Sequence, residues 1–256
     1  MSSITQLLDQ PGRDLLADAI GESAETIMSV HRLRRGLCRA VVDGVPERPR
    51  AALVAPHEYP DEPSAFGDDP EAIWQLLRNL VGWSCVNASR EIAPRLTALI
   101  EAGTGHACTW TEEIYYELAR PVVAWPHDAV RRLTAADVPL MEAATLPLAM
   151  VDWRFGSAAA QIAEGAAAGA IIDDELVAAA FIGGRGDRCA DVGIVTREDW
   201  RNQGLSTSAA ALVCADIQAA GQTAVWGTSI DNIASQKVAA KLGFAEVSRS
   251  VYICLA

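Results

Sequence analysis

The sequence lacks the features that would place a protein in a membrane or on nucleic acid. None of its stretches reaches the roughly 18 consecutive apolar residues that a membrane-spanning helix needs. Its beginning, MSSITQLLDQPGRDLL, has neither the basic flank nor the apolar run of a secretory signal peptide. Basic residues are scarce, because 21 Lys and Arg stand against 33 Asp and Glu and give a formal charge of −12. Nucleic acid binds clustered Lys and Arg, so we expect a cytoplasmic protein that binds neither membranes nor nucleic acid.

Cysteine occurs six times, but never in the C-x-x-C spacing that is typical of zinc sites and redox motifs. Scattered cysteines of a cytoplasmic protein are usually reduced. We therefore expect no metal site, no disulfide and six free thiols. The six residues are Cys38, Cys85, Cys108, Cys189, Cys214 and Cys254.

Hydrophobic residues make up 50% of the 256 positions, which suffices for a large core and excludes a disordered chain. Three prolines between residues 119 and 140 interrupt the pattern of helices and strands. We place the domain boundary there, with one domain over 1–125 and a second over 126–256. From residue 134 the predicted order is two helices, three strands, a helix, a strand, a helix and two strands. The second of these helices is predicted over Met150–Glu164.

The stretch that follows the third of these strands has the chemistry of an anion site. It runs from Arg201 through Gly204 to Ser206 and opens an Ala-rich helix predicted over 206–220. The first N–H groups of a helix have no partner within it, and the helix dipole places partial positive charge there. Glycine lets the backbone approach a phosphate closely, and the hydroxyls of Ser206 and Thr207 can donate hydrogen bonds. Taken alone, this pattern also fits an ordinary capped helix.

Two further motifs follow this turn in a characteristic order. Trp226 precedes an N-x-x-S motif at Asn232 and Ser235. K-L-G-F follows at 241–244, where the helix predicted over 234–242 ends and a strand begins. Together with the R-x-x-G-x-S turn, they resemble the GNAT superfamily of CoA-dependent N-acyltransferases over about residues 130–256. The strand D-V-G-I-V-T followed by W-R-N-Q-G-L is similar to one subgroup of that superfamily.

The sequence departs from the superfamily pattern at two positions. Ser206 replaces the usual Gly or Ala, and Ala239 stands where many members carry a tyrosine that acts as general acid. The first change is one that the fold should tolerate. The second leaves the role of the acid vacant or filled by another residue.

The resemblance implies a GNAT fold of the α/β (α+β) class, with a mixed, mostly antiparallel central sheet flanked by helices. It also implies acetyl-CoA as co-substrate. Strand backbone would pair with the pantetheine arm, turn N–H groups would hold the diphosphate, and the N-x-x-S motif would lie beside the thioester. The residues assigned to the cofactor are Ile194, Val195, Thr196, Arg201, Asn202, Gln203, Gly204, Leu205, Ser206, Thr207, Asn232 and Ser235. Asn232 also fits a simple helix cap, and Trp226 fits either the core or the wall of an acceptor pocket.

Acyl transfer to an amine needs a base, because an alkyl ammonium with a pKa near ~10 is not nucleophilic. Asp191 begins the cofactor strand, and partial burial there would raise its pKa toward that of a useful base. Ser235 and Tyr252 complete the candidate catalytic set, Tyr252 as an acid. A backbone N–H of the bent strand could stabilise the oxyanion. For Asp191 a surface strand end, and for Tyr252 a packed aromatic, remain open alternatives.

The first half repeats the strand order of the second, and W-S-C-V-N-A-S looks like a faint copy of the Trp-to-Ser motif. Where the phosphate turn would lie, Asp68 and Asp69 precede Pro70. Two carboxylates would repel a diphosphate, and proline removes a donor. We interpret 1–125 as a smaller, degenerate GNAT-like unit that cannot hold CoA, as in glycine N-acyltransferase-like tandem proteins. An unrelated α/β cap domain is the alternative.

The leading functional hypothesis is direct transfer of an acetyl group from acetyl-CoA to a small-molecule amine, because no nucleophile motif occurs. The rival is a CoA-binding sensor or regulatory protein without turnover, which Ala239 in the tyrosine position motivates. A third option is an acyltransferase for longer chains. The more acidic first half favours a cationic amine as acceptor. The sequence leaves the oligomeric state open, a homodimer included.

Overall fold

The computed structural model describes residues 5–144, 146 and 154–256, and the chain forms two compact units. Unit 1 comprises Met1–Ile114 and Ser248–Ala256, and unit 2 comprises Tyr115–Val247. Unit 1 is discontinuous because the end of the chain returns to it. The sequence suggests one boundary, after residue 125. The structure divides the units after Ile114 and again after Val247.

Unit 1 is built on a sheet with helices on both faces. Its strands are β1 (Thr5–Leu7), β2 (Cys38–Val45), β3 (Arg48–Pro56), β4 (Ser64–Phe66), β5 (Cys85–Ser89), most of β6 (Cys108–Leu118) and most of β12 (Ala245–Leu255). They follow the order β1-β2-β3-β4-β5-β12-β6. The β4–β5 pair is parallel, whereas the pairs β1–β2, β2–β3, β3–β4 and β5–β12 are antiparallel.

The helices of unit 1 are α1 (Gln10–Ile20), α2 (Ile27–Arg35), α3 (Pro70–Leu77) and α4 (Ala93–Thr104). The sheet has a hydrophobic core on each face, as two adjacent residues of β2 illustrate. Val42 packs with Leu16 and Leu33 on one face. Val41 packs with Leu76 and Leu96 on the other. Successive strand side chains point to opposite faces, so α1 and α2 cover one face and α3 and α4 the other.

Unit 2 repeats this plan with the remaining strands. It contains the end of β6, then β7 (Val130–Arg132), β8 (Ala167–Ile172), β9 (Glu175–Arg185), β10 (Cys189–Thr196) and β11 (Thr223–Ser229). The order is β6-β11-β10-β9-β8-β7, with β10 and β11 parallel and the pairs among β7 to β10 antiparallel. The expected class, a mostly antiparallel sheet flanked by helices, is confirmed.

Helices again cover both faces of the sheet in unit 2. They are α5 (Val138–Ala143), α6 (Ala158–Glu164), α7 (Leu205–Ala219) and α8 (Ile233–Leu242), and a 3-10 turn over Ala135–Asp137 precedes α5. Helices α7 and α8 share a core with Val192 and Trp226, whereas α5 and α6 pack with Phe181 and Val195 on the other face. No helix in the described part of the chain has the length and apolar character to cross a membrane.

Several element boundaries differ from the sequence-based expectations. The strand pairs expected around 106–118 and 244–255 are the single long strands β6 and β12, and the short strands β1, β4 and β7 were not expected. The helix expected over Met150–Glu164 begins at Ala158 in the structure, after Ser157 accepts a hydrogen bond from the Ala160 N–H. The first part of that expected helix, residues 150–153, lies outside the described residues.

The expectation of six free thiols is wrong for one pair, because Cys85 and Cys254 form a disulfide within unit 1. They lie directly opposite each other on the antiparallel strands β5 and β12, with Cα atoms 4.0 Å apart. Their sequence separation is 169 residues, and sequence spacing carries no information about such a distant strand pairing. The other four cysteines, Cys38, Cys108, Cys189 and Cys214, form no disulfide.

Candidate functional site

Strands β10 and β11 of unit 2 separate part-way along their length. Their parallel pairing joins Cys189–Asp191 to Thr223–Val225 and, within the described residues, goes no further. Both strands continue, β10 to Thr196 and β11 to Ser229, while β10 stays paired with β9 on its other edge. Alternate N–H and C=O groups of a strand point to opposite edges. The second half of β10 therefore presents backbone groups to an added extended chain.

The pairing of β10 with β9 contains a bulge at this point. Asp191 pairs with Gly184 and Val192 with Ile182, so Gly183 is an extra residue in β9, and such a bulge bends a strand pair. Two residues further along, a Cβ on Gly193 would lie 2.8 Å from the Phe181 ring. Glycine at 193 thus lets a large core side chain pack directly against the backbone of β10.

The turn between β10 and α7 contains two residues with left-handed backbone. Asn202 has φ +65° and Gly204 has φ +82°, on either side of the exposed Gln203. Arg201 is exposed as well. Alternation between left-handed and ordinary conformations turns successive N–H groups toward one side, which forms a concave site for an anion.

The first turn of α7 keeps its N–H groups unpaired within the helix. Gly204 occupies the N-cap position, where no side chain caps the helix, and the first helical bond runs from the Ser208 N–H to the Gly204 carbonyl. The N–H groups of Leu205, Ser206 and Thr207 precede that bond. The Thr207 side chain is buried, so we assign to it the backbone N–H and not the hydroxyl.

The equivalent helix of unit 1 is capped by the protein itself. Asp69 is the N-cap of α3, and its carboxylate accepts a hydrogen bond of 2.9 Å from the Ala72 N–H. Pro70 occupies the first turn and lacks an N–H. A carboxylate therefore stands in unit 1 where unit 2 offers free donors.

A buried hydroxyl beside the turn has no partner within the described residues. It is Oγ1 of Thr196, the last residue of β10. A buried polar atom without a hydrogen bond costs free energy, of the order of 1–3 kcal/mol. An orphaned hydroxyl at the end of this strand fits a ligand that supplies a polar atom there.

The N-x-x-S motif begins α8, and its two polar residues have structural partners. Asn232 caps the helix, because its Oδ1 accepts from the Ser235 N–H at 3.1 Å. The Ser235 hydroxyl accepts from the Trp226 indole at 2.9 Å, and both residues are buried. Trp226 also packs edge-on against Phe244, with ring centroids 5.4 Å apart. Trp226 is thus a core residue, and Asn232 has the capping role that the sequence left open.

The candidate acids and bases lie in different parts of the fold. Asp191 lies in β10, at the last pair before β10 and β11 separate. Its neighbours Ala190 and Val192 face α7, so its side chain points to the opposite face of the sheet. Ala239 is completely buried in the core under α8. Glu198, in the turn, is exposed.

Tyr252 lies in unit 1, where it pairs with Asn87 across β5 and β12. Burial, and then the nearby Glu113 and Glu62, raise the pKa of Tyr252 to about 12. A phenol with so high a pKa is a weaker proton donor at neutral pH. The structure therefore does not bring Tyr252 together with Asp191 within one unit, and its role as acid stays a prediction.

Two residues beside the turn were not selected from the sequence as site residues. A Cβ on Gly204 would lie 3.7 Å from the indole Nε1 of Trp125, and the Lys241 ammonium lies 5.8 Å from the centre of the Trp125 ring. All three belong to unit 2. The proline-rich composition around Trp125 indicated only a linker, and no local pattern relates residue 125 to residue 204.

Comparison with known proteins identifies the fold and the family of this region. The sequence model of the GNAT acetyltransferase family matches residues 146–252. This region is a GNAT acetyltransferase domain. GNAT enzymes generally use acetyl-CoA as co-substrate, and acetyl transfer is the activity that the family shares. No functionally curated protein gave a significant match.

Solved structures resemble the chain well beyond the GNAT domain. A Drosophila protein shares 15% identity at a TM-score of 0.71, covering 100% of this chain and 99% of its own. A GCN5-related N-acetyltransferase-like protein from Streptococcus suis shares 15% identity at 0.68, covering 96% and 99%. A tandem GNAT protein from the clavulanic acid pathway shares 14% identity at 0.61, covering 98% of both chains. At such identities these structures establish the fold, and the expected tandem arrangement with a GNAT-like first half agrees with them.

Proposed function

We propose that unit 2 transfers an acetyl group from acetyl-CoA to the amine of a small molecule. The observation that carries this proposal is the uncapped first turn of α7 behind a turn with left-handed Asn202 and Gly204. The family match supports acetyl transfer, and the proposal adds the amine and the residues that act.

The described residues fit the parts of acetyl-CoA in chain order. The open edge of β10, at Ile194, Val195 and Thr196, would pair with the amides of the pantetheine arm. The N–H groups from Asn202 to Thr207 would hold the diphosphate, which unpaired helix donors bind well even in an acidic protein. The Thr196 hydroxyl would gain the partner that the protein does not supply.

The reaction forms one bond and breaks one. The amine nitrogen bonds to the acetyl carbon, the carbon–sulfur bond breaks, and the sulfur leaves as thiolate, which a proton converts to the CoA thiol. A cationic amine loses two protons in all, one that is balanced by protonation of the leaving sulfur and one that passes to solvent. We assign the removal of the first proton, which frees the nitrogen lone pair, to Asp191, because it lies where β10 and β11 separate and faces away from the α7 core.

No tyrosine on α8 can protonate the leaving sulfur, because residue 239 is a buried alanine. Ser235 can still donate its own hydroxyl proton while it accepts from Trp226, so we keep it as a positioning donor beside the thioester. A thiolate with a pKa near ~8.5 also leaves without full protonation, so water is a sufficient proton source.

A small cationic amine is the acceptor class that we propose, because both the net charge of −12 and the more acidic first half attract cations. The rival function is a CoA-binding sensor without turnover. The buried alanine at 239 is the observation that favours it.

The test combines a binding and a turnover measurement on the full chain. Titration calorimetry with acetyl-CoA measures binding, and release of free thiol is followed with a polyamine, simple alkyl amines, and neutral and acidic amino acids. We expect binding, and thiol release that depends on a cationic amine, with the acetylated amine seen by mass spectrometry.

Each other outcome has a definite meaning. Tight binding with no thiol release for any amine would favour the sensor. Preference for glycine or aspartate would overturn the cationic acceptor while leaving acetyl transfer intact. Faster reaction with longer acyl thioesters would overturn the acetyl group, and absence of binding would overturn the site itself.

A further inference from the structure

A short segment of unit 2 runs along α7 and carries an exposed tryptophan to the phosphate turn. Gln218 of α7 fixes this segment at two points: its Oε1 accepts from the Val122 N–H at 3.0 Å and its Nε2 donates to the Arg120 carbonyl at 2.7 Å. The Val122 side chain packs against the core beneath α7. Trp125 follows three residues later, with its indole N–H edge beside Gly204.

Lysine is rare in this chain, and one of its two lysines lies against this tryptophan. The sequence contains Lys237 and Lys241, both exposed on α8. The Lys241 ammonium lies 5.8 Å from the centre of the Trp125 ring, within the range of a cation–π contact. Trp125 is 38% exposed as a residue, so part of its surface is open to a ligand.

An exposed aromatic ring and a cation beside a phosphate turn suit a particular ligand chemistry. A purine base stacks on aromatic side chains through its flat face. A phosphate monoester carries about −1.5 to −2 charge at neutral pH and attracts a cation. In coenzyme A, an adenosine 3′-phosphate is joined to the diphosphate. A diphosphate held at Gly204 thus leaves the adenosine 3′-phosphate only a few bonds away from Trp125 and Lys241.

We propose that Trp125 and Lys241 form a subsite for the adenosine 3′-phosphate of the coenzyme, in which the indole stacks on the purine and the ammonium pairs with the 3′-phosphate. The proposal rests on the proposed acetyl-CoA site of unit 2. It gives the segment between Arg120 and Trp125 a binding role that a passive linker would not have.

The experiment measures dissociation constants by calorimetry for acetyl-CoA and for acetyl-3′-dephospho-CoA. The variants are Lys241→Gln, Trp125→Ala and Trp125→Phe, and Lys237→Gln is the matched control on the same helix. We expect Lys241→Gln to weaken acetyl-CoA about three- to fivefold, as for an exposed ion pair, and to leave acetyl-3′-dephospho-CoA unchanged. Lys237→Gln should bind both ligands like the parent protein.

The tryptophan variants separate stacking from other roles. Trp125→Ala should weaken both ligands about fivefold or more, because both carry adenine, whereas Trp125→Phe keeps a ring and should stay within about twofold of the parent. A Trp125→Phe variant as weak as Trp125→Ala would overturn stacking in favour of the indole N–H. Circular dichroism and melting curves check that each variant is folded.

Failure of this subsite and failure of the proposed function give different results. If the parent protein binds no acetyl-CoA, the proposed function fails and the subsite fails with it. If the parent binds acetyl-CoA but Lys241→Gln prefers acetyl-CoA over acetyl-3′-dephospho-CoA as strongly as Lys237→Gln does, the function stands and the lysine part is overturned. Unchanged binding by Trp125→Ala overturns the aromatic part in the same way.

Discussion

At the scale of single residues, the two units differ most clearly at the start of one helix. Unit 1 places Asp69 at the N-cap of α3, and unit 2 places Gly204 at the N-cap of α7. The Asp69 carboxylate satisfies one first-turn donor and would repel an anion, whereas Gly204 offers no side-chain cap to the first turn of α7. If the proposed site is right, one residue type at one position distinguishes the helix that accepts a diphosphate from the helix that does not.

Replacing Gly204 should abolish cofactor binding. In Gly204→Val a branched side chain would meet the diphosphate position, and valine disfavours φ +82°. We expect acetyl-CoA affinity to fall at least ~100-fold, because several N–H donors are lost together. The matched control is Gly221→Val, a left-handed glycine (φ +76°) just beyond the other end of α7, with nothing within 4 Å of an added Cβ. Equal affinity in folded Gly204→Val would contradict the assignment of the turn.

Replacing Asp191 should affect turnover more than binding. Asp191→Asn keeps the size of the side chain but cannot take a proton, so we expect kcat to fall about 100-fold, the usual range for a general base. The dissociation constant for acetyl-CoA should change less than about threefold. The measurement is a pH–rate profile beside calorimetry, and a variant with the parent's rate at every pH would remove Asp191 from the mechanism.

At the scale of elements, β10 depends on a glycine that contacts the core. A Cβ on Gly193 would lie 2.8 Å from the Phe181 ring, so Gly193→Ala must displace the ring or the strand. We expect a loss of about 1–3 kcal/mol in the free energy of unfolding, measured by urea denaturation. In the double variant Gly193→Ala/Phe181→Leu the smaller side chain makes room for the added Cβ. The free energy of unfolding should therefore fall by less than the sum of the losses in the two single variants. Strictly additive losses would show that the two residues do not collide.

The start of α5 should carry a pH-dependent contribution to stability. The Arg131 guanidinium, followed by the Thr134 N–H and hydroxyl, holds the pKa of the Asp137 carboxyl well below its usual range. A lowered folded-state pKa contributes stability above the unfolded pKa of about 3.9, and that stability is lost as the pH falls toward the folded value. Asp137→Asn should therefore be less stable than the parent at about pH 7, and the gap should narrow toward about pH 2. A constant gap in urea midpoints would contradict this cause.

Local patterns predicted the elements that position the site better than the elements that join the units. The strand at 223–229 and the helix that begins beside Asn232 follow from alternation, capping and a C-terminal glycine, all of which are local signals. The short strands β1, β4 and β7 have three residues each and exist through their pairing partners. Trp125 and the Cys85–Cys254 pair depend on contacts distant in sequence, which a single sequence does not encode in readable form.

At the scale of the whole molecule, one covalent bond joins the two chain segments of unit 1. The disulfide of Cys85 and Cys254 closes a loop of 169 residues that contains all of unit 2. A cross-link over a long loop restricts the unfolded chain strongly. We therefore expect the disulfide to stabilise the discontinuous unit more than a contact between residues close in sequence does.

Removing this disulfide should destabilise the chain only under oxidising conditions. Cys85→Ser/Cys254→Ser should lower the free energy of unfolding by about 2–5 kcal/mol without reductant. In excess dithiothreitol, parent and variant should have nearly the same urea midpoint. Cys108→Ser, which removes a free cysteine of the same unit, is the control. If alkylation and mass spectrometry found both thiols free in the purified parent, the pairing would be contradicted.

The return of residues 248–256 to unit 1 also has a consequence for biosynthesis. On the ribosome, β5 emerges long before β12, its antiparallel partner, so unit 1 must wait for nearly the whole chain before its sheet is complete. Unit 2 lies entirely between the two parts and can close first. Nascent chains released before residue 248 should expose the unpaired edge of β5 to chaperones. A premature stop just before residue 248 would therefore damage unit 1 more than unit 2.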